Sequence, residues 1–286
     1  MNEKYLFKFQ QDMALKNFTD STRIDYYRFV CRFLEFTGKE AMSITYADIR
    51  NFIFHLKDVE NKKASTINCY TAAIRFFFEY ALGYVWDSKK IPKMKRDREL
   101  PAVLTREQVQ LLIDSVDNYK HKAMLTVMYS AGLRVSEVCH LRYGHILRSQ
   151  KMIYVSKSKN RQDRYSILSD RCLEVLTEYW YRYNRPRGWL FPSPMRDAPV
   201  TTAAAQLVMK DVCAKLGFSG NITPHTLRHS FAVHLLEEGV SQTFIQQLLG
   251  HRCPSSTNHY LQMTSKALMG IRSPFDTMME EDGDHE

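Results

Sequence analysis

The chain has 286 residues, enough for one large or two medium domains that each bury a core. Hydrophobic residues make up 44% and charged residues 25%, as in ordinary globular proteins, and no apolar run approaches the roughly 20 residues that span a bilayer. The formal net charge is +9, which makes a polyanion a candidate partner. These features argue against a membrane protein and against a disordered chain.

Three further features of the sequence bear on the cellular setting and on the distribution of charge. The start, MNEKYLFKFQ, lacks the apolar core of a signal peptide, so we expect a cytoplasmic protein. The six cysteines form no C-x-x-C pair, which argues for reduced thiols and against a disulfide framework or a zinc site. The last seven residues hold five acids, so the rest of the chain is more basic than the total suggests.

Residues 1–88 are predicted to form a small helical domain. The apolar spacing follows a helical period in four segments, and strand signals are few. One helix boundary has a specific signature, because Thr45 with Asp48 resembles a capping box ahead of an apolar run. The four helices are predicted to begin near Lys4, Ser21, Thr45 and Ser65. Four short helices of this kind indicate a compact bundle.

Basic and polar residues of this domain lie near the predicted helix starts. Lysines, helix N-termini and a polar first turn are suited to phosphates and base edges of DNA. The alternative is that these side chains form an ordinary solvated helix face. The candidate DNA contacts here are Arg23, Lys62, Lys63, Thr66 and Asn68.

Residues 89–104 are predicted to be a basic linker. The segment KKIPKMKRDRELPAV contains two prolines and shows no hydrophobic periodicity. Such a charge run is often just a solvated connection, but between two basic domains it can also follow a DNA backbone. We favour DNA contact for Lys93, Lys95 and Arg96.

The third region, residues 105–286, opens with a helix that Thr105 can cap. A following helix stops at Gly132, so Arg134 lies in a turn before the next helix, where an anion is favoured. Glu137, one turn later, can pair with Arg134 or orient it. A purely structural clamp is the other role open to this arginine.

A β-hairpin is predicted next. Residues 151–155 and 164–168 alternate as two strands, and the segment between them, SKSKNRQD, is basic and polar. Lys157 and Lys159 at its tip both remain candidates for a functional lysine.

The segment from Thr223 to Tyr260 carries a second polar set. His225 and Arg228 lie three residues apart on an apolar-periodic helix, so they share a face. His251 follows Gly250, just past a predicted helix end, and Tyr260 follows nine residues later. An arginine and two imidazoles around a tyrosine hydroxyl can surround a phosphate that the tyrosine attacks. Each residue taken alone is more often an ordinary polar side chain.

Zinc is disfavoured in this segment. His225 and His229 have the i, i+4 spacing of zinc-binding helices, but Thr226 replaces the glutamate of that motif. Arg228 lies between the two histidines, where it would repel a metal cation. We therefore expect no metal.

Together these motifs resemble the tyrosine recombinase (phage integrase) family, especially its Xer-like members. The likeness rests on AGLRVSE, on the hairpin before Asp163-Arg164, on H-x-x-R, on L-G-H, and on the tyrosine nine residues beyond. It covers the C-terminal two-thirds by motif and the N-terminal third by architecture only. Alignment on Asp163-Arg164 favours Lys159 over Lys157, although Ser158 and Asn160 replace the usual glycines. The residues that carry over as catalytic are Arg134, Lys159, His225, Arg228, His251 and Tyr260.

The resemblance implies a mainly α fold with a small β-hairpin or sheet in the C-terminal domain. It implies a helical core-binding domain joined to a catalytic domain. The activity implied is site-specific recombination through a 3′-phosphotyrosine, without cofactor or metal. The partners implied are double-stranded DNA recombination sites in the nucleoid, a homotetramer on two sites and accessory DNA-bending proteins. In this family a C-terminal segment passes between protomers, and 265–271, predicted to be a short apolar helix, is the corresponding segment here. The alternative is that this segment folds back on its own domain.

Two other functions stay open at this point. A type IB-like topoisomerase shares the phosphotyrosine chemistry, and a non-catalytic DNA-binding protein could keep the fold. The motifs do not indicate the target sequence, nor the choice among integration, excision, inversion and dimer resolution.

Overall fold

The structure, a computed structural model, describes residues 2–95, 101–156, 163–194 and 198–250. The chain folds into two compact units, Met1–Glu99 and Leu100–Glu286, called here the N-terminal and C-terminal units. Within the described residues, no helix is both long enough and apolar enough to pass through a bilayer.

The N-terminal unit is a four-helix bundle, and its helices begin where the sequence predicted. The capping box of Thr45 and Asp48 is present, and Gly38 ends the second helix in the left-handed conformation. The third and fourth helices continue into π-helical turns at His55–Val59 and Phe77–Ala81. The helices are α1 (Glu3–Leu15), α2 (Asp20–Thr37), α3 (Tyr46–Phe54) and α4 (Ala64–Phe76).

Aromatic side chains fill the core of this bundle. Phe9 of α1 meets Phe77 edge to face, with ring centroids 5.4 Å apart. Phe33 of α2 lies 5.3 Å from Phe52 of α3, and all four rings are essentially inaccessible to solvent. Each such pair adds about 0.5–1.5 kcal/mol of stability beyond the hydrophobic contribution of the area that it buries. These pairs therefore help to hold the helices against one another.

Asn68 has a different role from the predicted DNA contact. It is buried in α4, and its amide donates to the Met94 carbonyl while its oxygen accepts from the Met94 N–H, both at 3.0 Å. Ile91, three residues before Met94, is buried in the hydrophobic core of the N-terminal unit. The first part of the predicted linker therefore packs onto the N-terminal unit, although its sequence shows no periodicity.

Replacing Asn68 by alanine should release this segment. Loss of the two reciprocal hydrogen bonds should lower the free energy of local opening by about 1–2 kcal/mol. The rate of amide hydrogen exchange at residues 91–94 should then rise on the order of 10-fold. Hydrogen exchange with mass spectrometry measures this effect. Asn51→Ala, on the exposed face of α3, is the matched control and should leave exchange at 91–94 unchanged. Equal exchange in Asn68→Ala and the control would contradict the assignment.

The C-terminal unit contains seven described helices and a small sheet. The strands are antiparallel in the order β1-β2-β3, so the predicted hairpin is confirmed and a short strand is added to its outer edge. The strands are β1 (Ile146–Leu147), β2 (Met152–Val155) and β3 (Arg164–Ile167). The helices are α5 (Arg106–Asp114), α6 (Tyr119–Ser130), α7 (Val135–Cys139), α8 (Asp170–Arg182), α9 (Thr202–Lys215), α10 (Pro224–Glu237) and α11 (Gln242–Leu249). The predicted fold class, mainly α with a small sheet, is confirmed.

Helices α6 and α10 form the centre of this unit. Both are buried on most of their surface, and α6 packs against α8, α9 and α10. The other end of the predicted linker is attached here, because the Leu104 N–H donates to the Ser230 hydroxyl of α10 at 2.9 Å. Leu104 itself is buried in the same core. The segment 101–104 thus belongs to the C-terminal unit rather than to a free connection.

Candidate active site

The turn between α6 and α7 places Arg134 and Glu137 together. Glu137 lies in the first turn of α7, where its Oε2 accepts from the Arg134 backbone N–H at 2.8 Å. Its Oε1 accepts from Arg134 Nη1 at 2.7 Å. A carboxylate is favoured at this position because the unpaired amides of a helix N-terminus carry positive partial charge. The side chain of Arg134 keeps 16% of its surface exposed.

Arg164, the first residue of β3, binds the same carboxylate as a fork. Its Nη1 lies 2.8 Å from Glu137 Oε1, and its Nη2 lies 2.8 Å from Oε2. Its Nε donates to the Leu248 carbonyl in the last turn of α11 at 2.7 Å. This side chain is only 8% exposed. A bidentate guanidinium–carboxylate pair of this kind combines charge with fixed geometry.

Arg228 of α10 completes the group. It is buried, and it donates from Nη1 to the Gly132 carbonyl at 2.8 Å and from Nη2 to the Leu249 carbonyl at 2.6 Å. Its Nη1 also lies 3.7 Å from Glu137 Oε2. The backbone before α7 and the backbone at the end of α11 therefore fix the orientation of this guanidinium. We call Arg134, Arg164 and Arg228 around Glu137 the arginine cluster.

The arginine cluster carries an excess of positive charge. Burial alone would raise the pKa of Glu137, but the hydrogen bond and charge of Arg164, the Arg134 N–H and the charge of Arg228 lower it to about 2. Glu137 is thus ionised at any physiological pH. Three guanidiniums surround one carboxylate, so the cluster is a fixed, net-positive site suited to an oxyanion.

The remaining predicted catalytic residues are only partly described. His225 lies exposed in the first turn of α10, one turn before Arg228. Helix α11 ends at Leu249 with Gly250 in the left-handed conformation, which confirms the predicted helix end before His251. His251, Tyr260, Lys159 and its alternative Lys157 lie outside the described residues, as does the segment 265–271.

The candidate DNA contacts of the N-terminal unit differ in exposure. Lys62, Lys63, Lys93 and Lys95 are exposed, and Arg23 and Thr66 are partly exposed. Some already have acidic neighbours, with Arg23 3.4 Å from Asp20 and Lys62 3.6 Å from Glu60. Asn68 is buried, as described above, and Arg96 lies outside the described residues.

No group of three or more potential metal ligands occurs among the described residues of the chain. The described part of the arginine cluster offers only one carboxylate, and three guanidiniums surround it. Such a donor set suits an anion, because a metal cation would be repelled there.

Two family models match this chain. Residues 102–266 match the Phage integrase family, and residues 6–88 match the Phage integrase, N-terminal SAM-like domain. The chain belongs to the phage integrase family. It is 36% identical over 276 residues to the putative integrase/recombinase y4qK of Sinorhizobium fredii (strain NBRC 101917 / NGR234), covering 95% of this chain and 88% of that protein.

Solved recombinases share the architecture of this integrase. The crystal structure of XerA recombinase has 26% sequence identity to it and a TM-score of 0.55, covering 99% of each chain. XerH site-specific recombinase, bound to its palindromic difH substrate in a post-cleavage complex, has 18% identity and a TM-score of 0.73 over 86% of this chain and 77% of that one. The protein is a Xer-like tyrosine recombinase that performs site-specific DNA recombination.

Sequence reasoning missed one member of the arginine cluster. Arg164 served only as an alignment point for the hairpin lysine, and we assigned it no role. A signal was present, because strand alternation places Arg164 on the same face as Ser166, which is buried. An arginine on the inward face of a strand needs a partner carboxylate, and Glu137 was available.

Proposed function

We propose that this recombinase cleaves DNA with Tyr260 as the nucleophile and with Arg134 and Arg228 of the arginine cluster as the main phosphate-binding groups. The observation that carries the proposal is the meeting of Arg134 and Arg228 at Glu137. The two arginines come from motifs far apart in the sequence. Polar groups converging from distant motifs are typical of a functional site rather than of incidental surface charge.

The chemistry follows from charge. Attack of the Tyr260 oxygen on phosphorus builds negative charge on the non-bridging oxygens in the transition state. Preorganised guanidiniums lower the energy of that transition state. The new phosphorus–tyrosine bond forms as the bond to the 5′ oxygen breaks. In this proposal Lys159 gives the 5′ oxygen its proton, His225 assists proton transfer from the tyrosine, and His251 braces the phosphate.

The reverse step needs no added energy source. The tyrosyl phosphodiester retains the energy of the broken bond, so the 5′ hydroxyl of a second strand can attack phosphorus and release Tyr260. Strand exchange then requires neither ATP nor a metal. The substrate is a double-stranded recombination site, which the DNA-bound structure of XerH and the net charge of +9 support.

The finer assembly is also part of this proposal. We expect a homotetramer on two DNA sites, acting on nucleoid DNA in the cytoplasm, with accessory DNA-bending proteins at some sites. The exposed lysines Lys62, Lys63, Lys93 and Lys95 are suited to contact phosphates, as are Arg23, Thr66 and Arg96. We propose a mobile genetic element as the setting, which the match to the Phage integrase family supports.

A covalent trapping assay tests the nucleophile. A duplex that carries a cognate recombination site is nicked just downstream of the cleavage position, so that the short fragment bearing the new 5′ hydroxyl diffuses away. The trapped intermediate should appear as a denaturation-resistant protein–DNA band. Tyr260→Phe should remove that band, because phenylalanine has no attacking oxygen. Tyr181→Phe, at an exposed tyrosine of α8, is the control and should keep it. Persistence of the band in Tyr260→Phe would refute the assignment.

A second assay separates recombination from topoisomerase action. A type IB-like topoisomerase relaxes supercoiled plasmid without paired sites, whereas a recombinase joins two sites. Recombinant products should therefore appear only with a plasmid that carries both sites.

A further inference from the structure

Arg164 is buried in the arginine cluster, and all three of its nitrogen atoms are engaged. Nη1 and Nη2 bind Glu137, Nε binds the Leu248 carbonyl, and the side chain is 8% exposed. A guanidinium held in this way does not project toward a bound DNA strand. Its influence on the reaction must therefore pass through the groups that it touches.

The acceptor capacity of Glu137 shows what Arg164 does there. A carboxylate offers about four lone-pair positions. Arg164 takes two of them at 2.8 Å, and Arg134 takes the other two through its backbone N–H at 2.8 Å and its Nη1 at 2.7 Å. Arg228 stays at 3.7 Å from the carboxylate and binds backbone carbonyls instead. With Arg164 present, Glu137 is saturated.

We propose that Arg164 is a positioning residue that keeps Glu137 from drawing Arg228, and the further N–H groups of Arg134 beyond Nη1, away from the scissile phosphate. This inference rests on the proposed active site. Without Arg164, two acceptor positions of Glu137 open toward the nearest donors, which are Arg134 and Arg228. Arg228 then turns toward the carboxylate and Arg134 donates to it more fully, and the net charge of the arginine cluster falls by one.

A second contact of Arg164 serves the same end. The Leu248 carbonyl lies in the last turn of α11, and a Cβ added at Gly250 would lie 3.0 Å from the Arg164 Cδ. Gly250 has φ +64°, a left-handed conformation that favours glycine. A glycine here also leaves room for the Arg164 side chain. The next carbonyl, that of Leu249, accepts from Arg228. Arg164 therefore also fixes the backbone that orients Arg228.

The test compares two substrates that differ in one charge. In a methylphosphonate at the scissile position, a methyl group replaces a charged oxygen, so cleavage depends less on the guanidiniums. Arg164→Gln should slow formation of the Tyr260-linked band on the order of 100-fold with the ordinary phosphodiester. With the methylphosphonate the defect should shrink below roughly 10-fold. A merely structural role would give the same defect on both substrates, and that result would overturn the proposal.

Three further variants make the result unambiguous. Arg171→Gln, at an exposed arginine of α8, is the matched control and should cleave both substrates like the unaltered protein. Glu137→Gln added to Arg164→Gln should recover about 10-fold in rate, because the competing carboxylate is gone. If Arg164→Gln fails to fold, Arg164→Lys takes its place, with a defect on the order of 10-fold that again shrinks with the methylphosphonate.

The two proposals fail in different ways. Absence of a Tyr260-dependent band from the unaltered protein would refute the proposed active site. A normal band, with Arg164→Gln as fast as the unaltered protein, would refute the role of Arg164 alone.

Discussion

Replacing Glu137 by glutamine should lower the free energy of unfolding of the C-terminal unit by about 3–5 kcal/mol. The carboxylate is 4% exposed and faces three guanidiniums, two of them 8% and 3% exposed. Removing its charge leaves buried cations without compensation, which is far costlier than losing a surface ion pair. For a unit of this size the loss corresponds to a fall of about 10 °C in Tm.

The effect of this substitution should depend on pH with a definite sign. Glu137 has an ordinary pKa of 4.5 and a folded pKa of about 2, so its contribution is complete above pH 4.5 and is lost as the pH falls toward 2. Glutamine does not titrate. The stability difference between the unaltered protein and Glu137→Gln should therefore narrow by about 2 kcal/mol between pH 7 and pH 3.

Urea unfolding measures both quantities. Two of the three tryptophans, Trp180 and Trp189, belong to the C-terminal unit, so their fluorescence reports its unfolding when Trp86 is replaced by phenylalanine. Glu174→Gln, at an exposed glutamate of α8, is the control and should change stability by less than about 0.5 kcal/mol at either pH. A difference for Glu137→Gln that stays constant with pH would contradict a charged, cation-bound Glu137.

The helices of the N-terminal unit illustrate what could be predicted from the sequence. Their boundaries depend on local signals, such as the Thr45–Asp48 capping box and the left-handed Gly38. These signals act within a few residues and need no tertiary information. The same holds for the hairpin strands, whose alternation is a local pattern.

The linker shows a contact that local sequence signals do not predict. Residues 91–94 have no helical or strand period, yet Ile91 is buried and Met94 is bound by Asn68 of α4. The polar first turn of α4 looked suited to DNA bases, but a segment more than twenty residues further along the chain satisfies the amide. A contact of this range leaves no trace in the spacing of either segment.

Part of the arginine cluster could be predicted from the sequence motifs, but the contacts of Arg164 that complete it could not. Arg134 and Arg228 followed from the family resemblance, and Glu137 from its place in the helix. The role of Arg164 depends on how β3 lies against α7 and α11, which is set by tertiary packing. The sequence alone could show an inward-facing arginine, but not which carboxylate it binds.

Gly132 is the position at which the backbone of this site is most constrained. It has φ +60°, and a Cβ there would lie 2.3 Å from Cδ1 and 2.5 Å from Cε1 of Phe231. It would also lie 3.0 Å from Leu249 Cδ2. The Gly132 carbonyl accepts from Arg228 Nη1 at 2.8 Å, so any shift of this residue moves the acceptor that orients a catalytic candidate.

Gly132→Ala should therefore impair both stability and cleavage. The left-handed backbone costs about 1–2 kcal/mol for alanine, and overpacking against Phe231 costs about 1–3 kcal/mol more. A displacement of Arg228 by about 1 Å should slow formation of the Tyr260-linked band on the order of 100-fold. Urea unfolding and the trapping assay measure the two effects on the same variant.

Gly239→Ala separates the two contributions. Gly239 also has a positive φ, +81°, but among the described residues no heavy atom lies within 4 Å of its added Cβ. This control should lose only about 1–2 kcal/mol and should keep its cleavage rate. Phe231→Leu should restore part of the cleavage rate of Gly132→Ala, because the shorter side chain leaves room for the methyl group. If Gly132→Ala behaved like Gly239→Ala in both assays, close packing at Gly132 would not be what holds Arg228 in place.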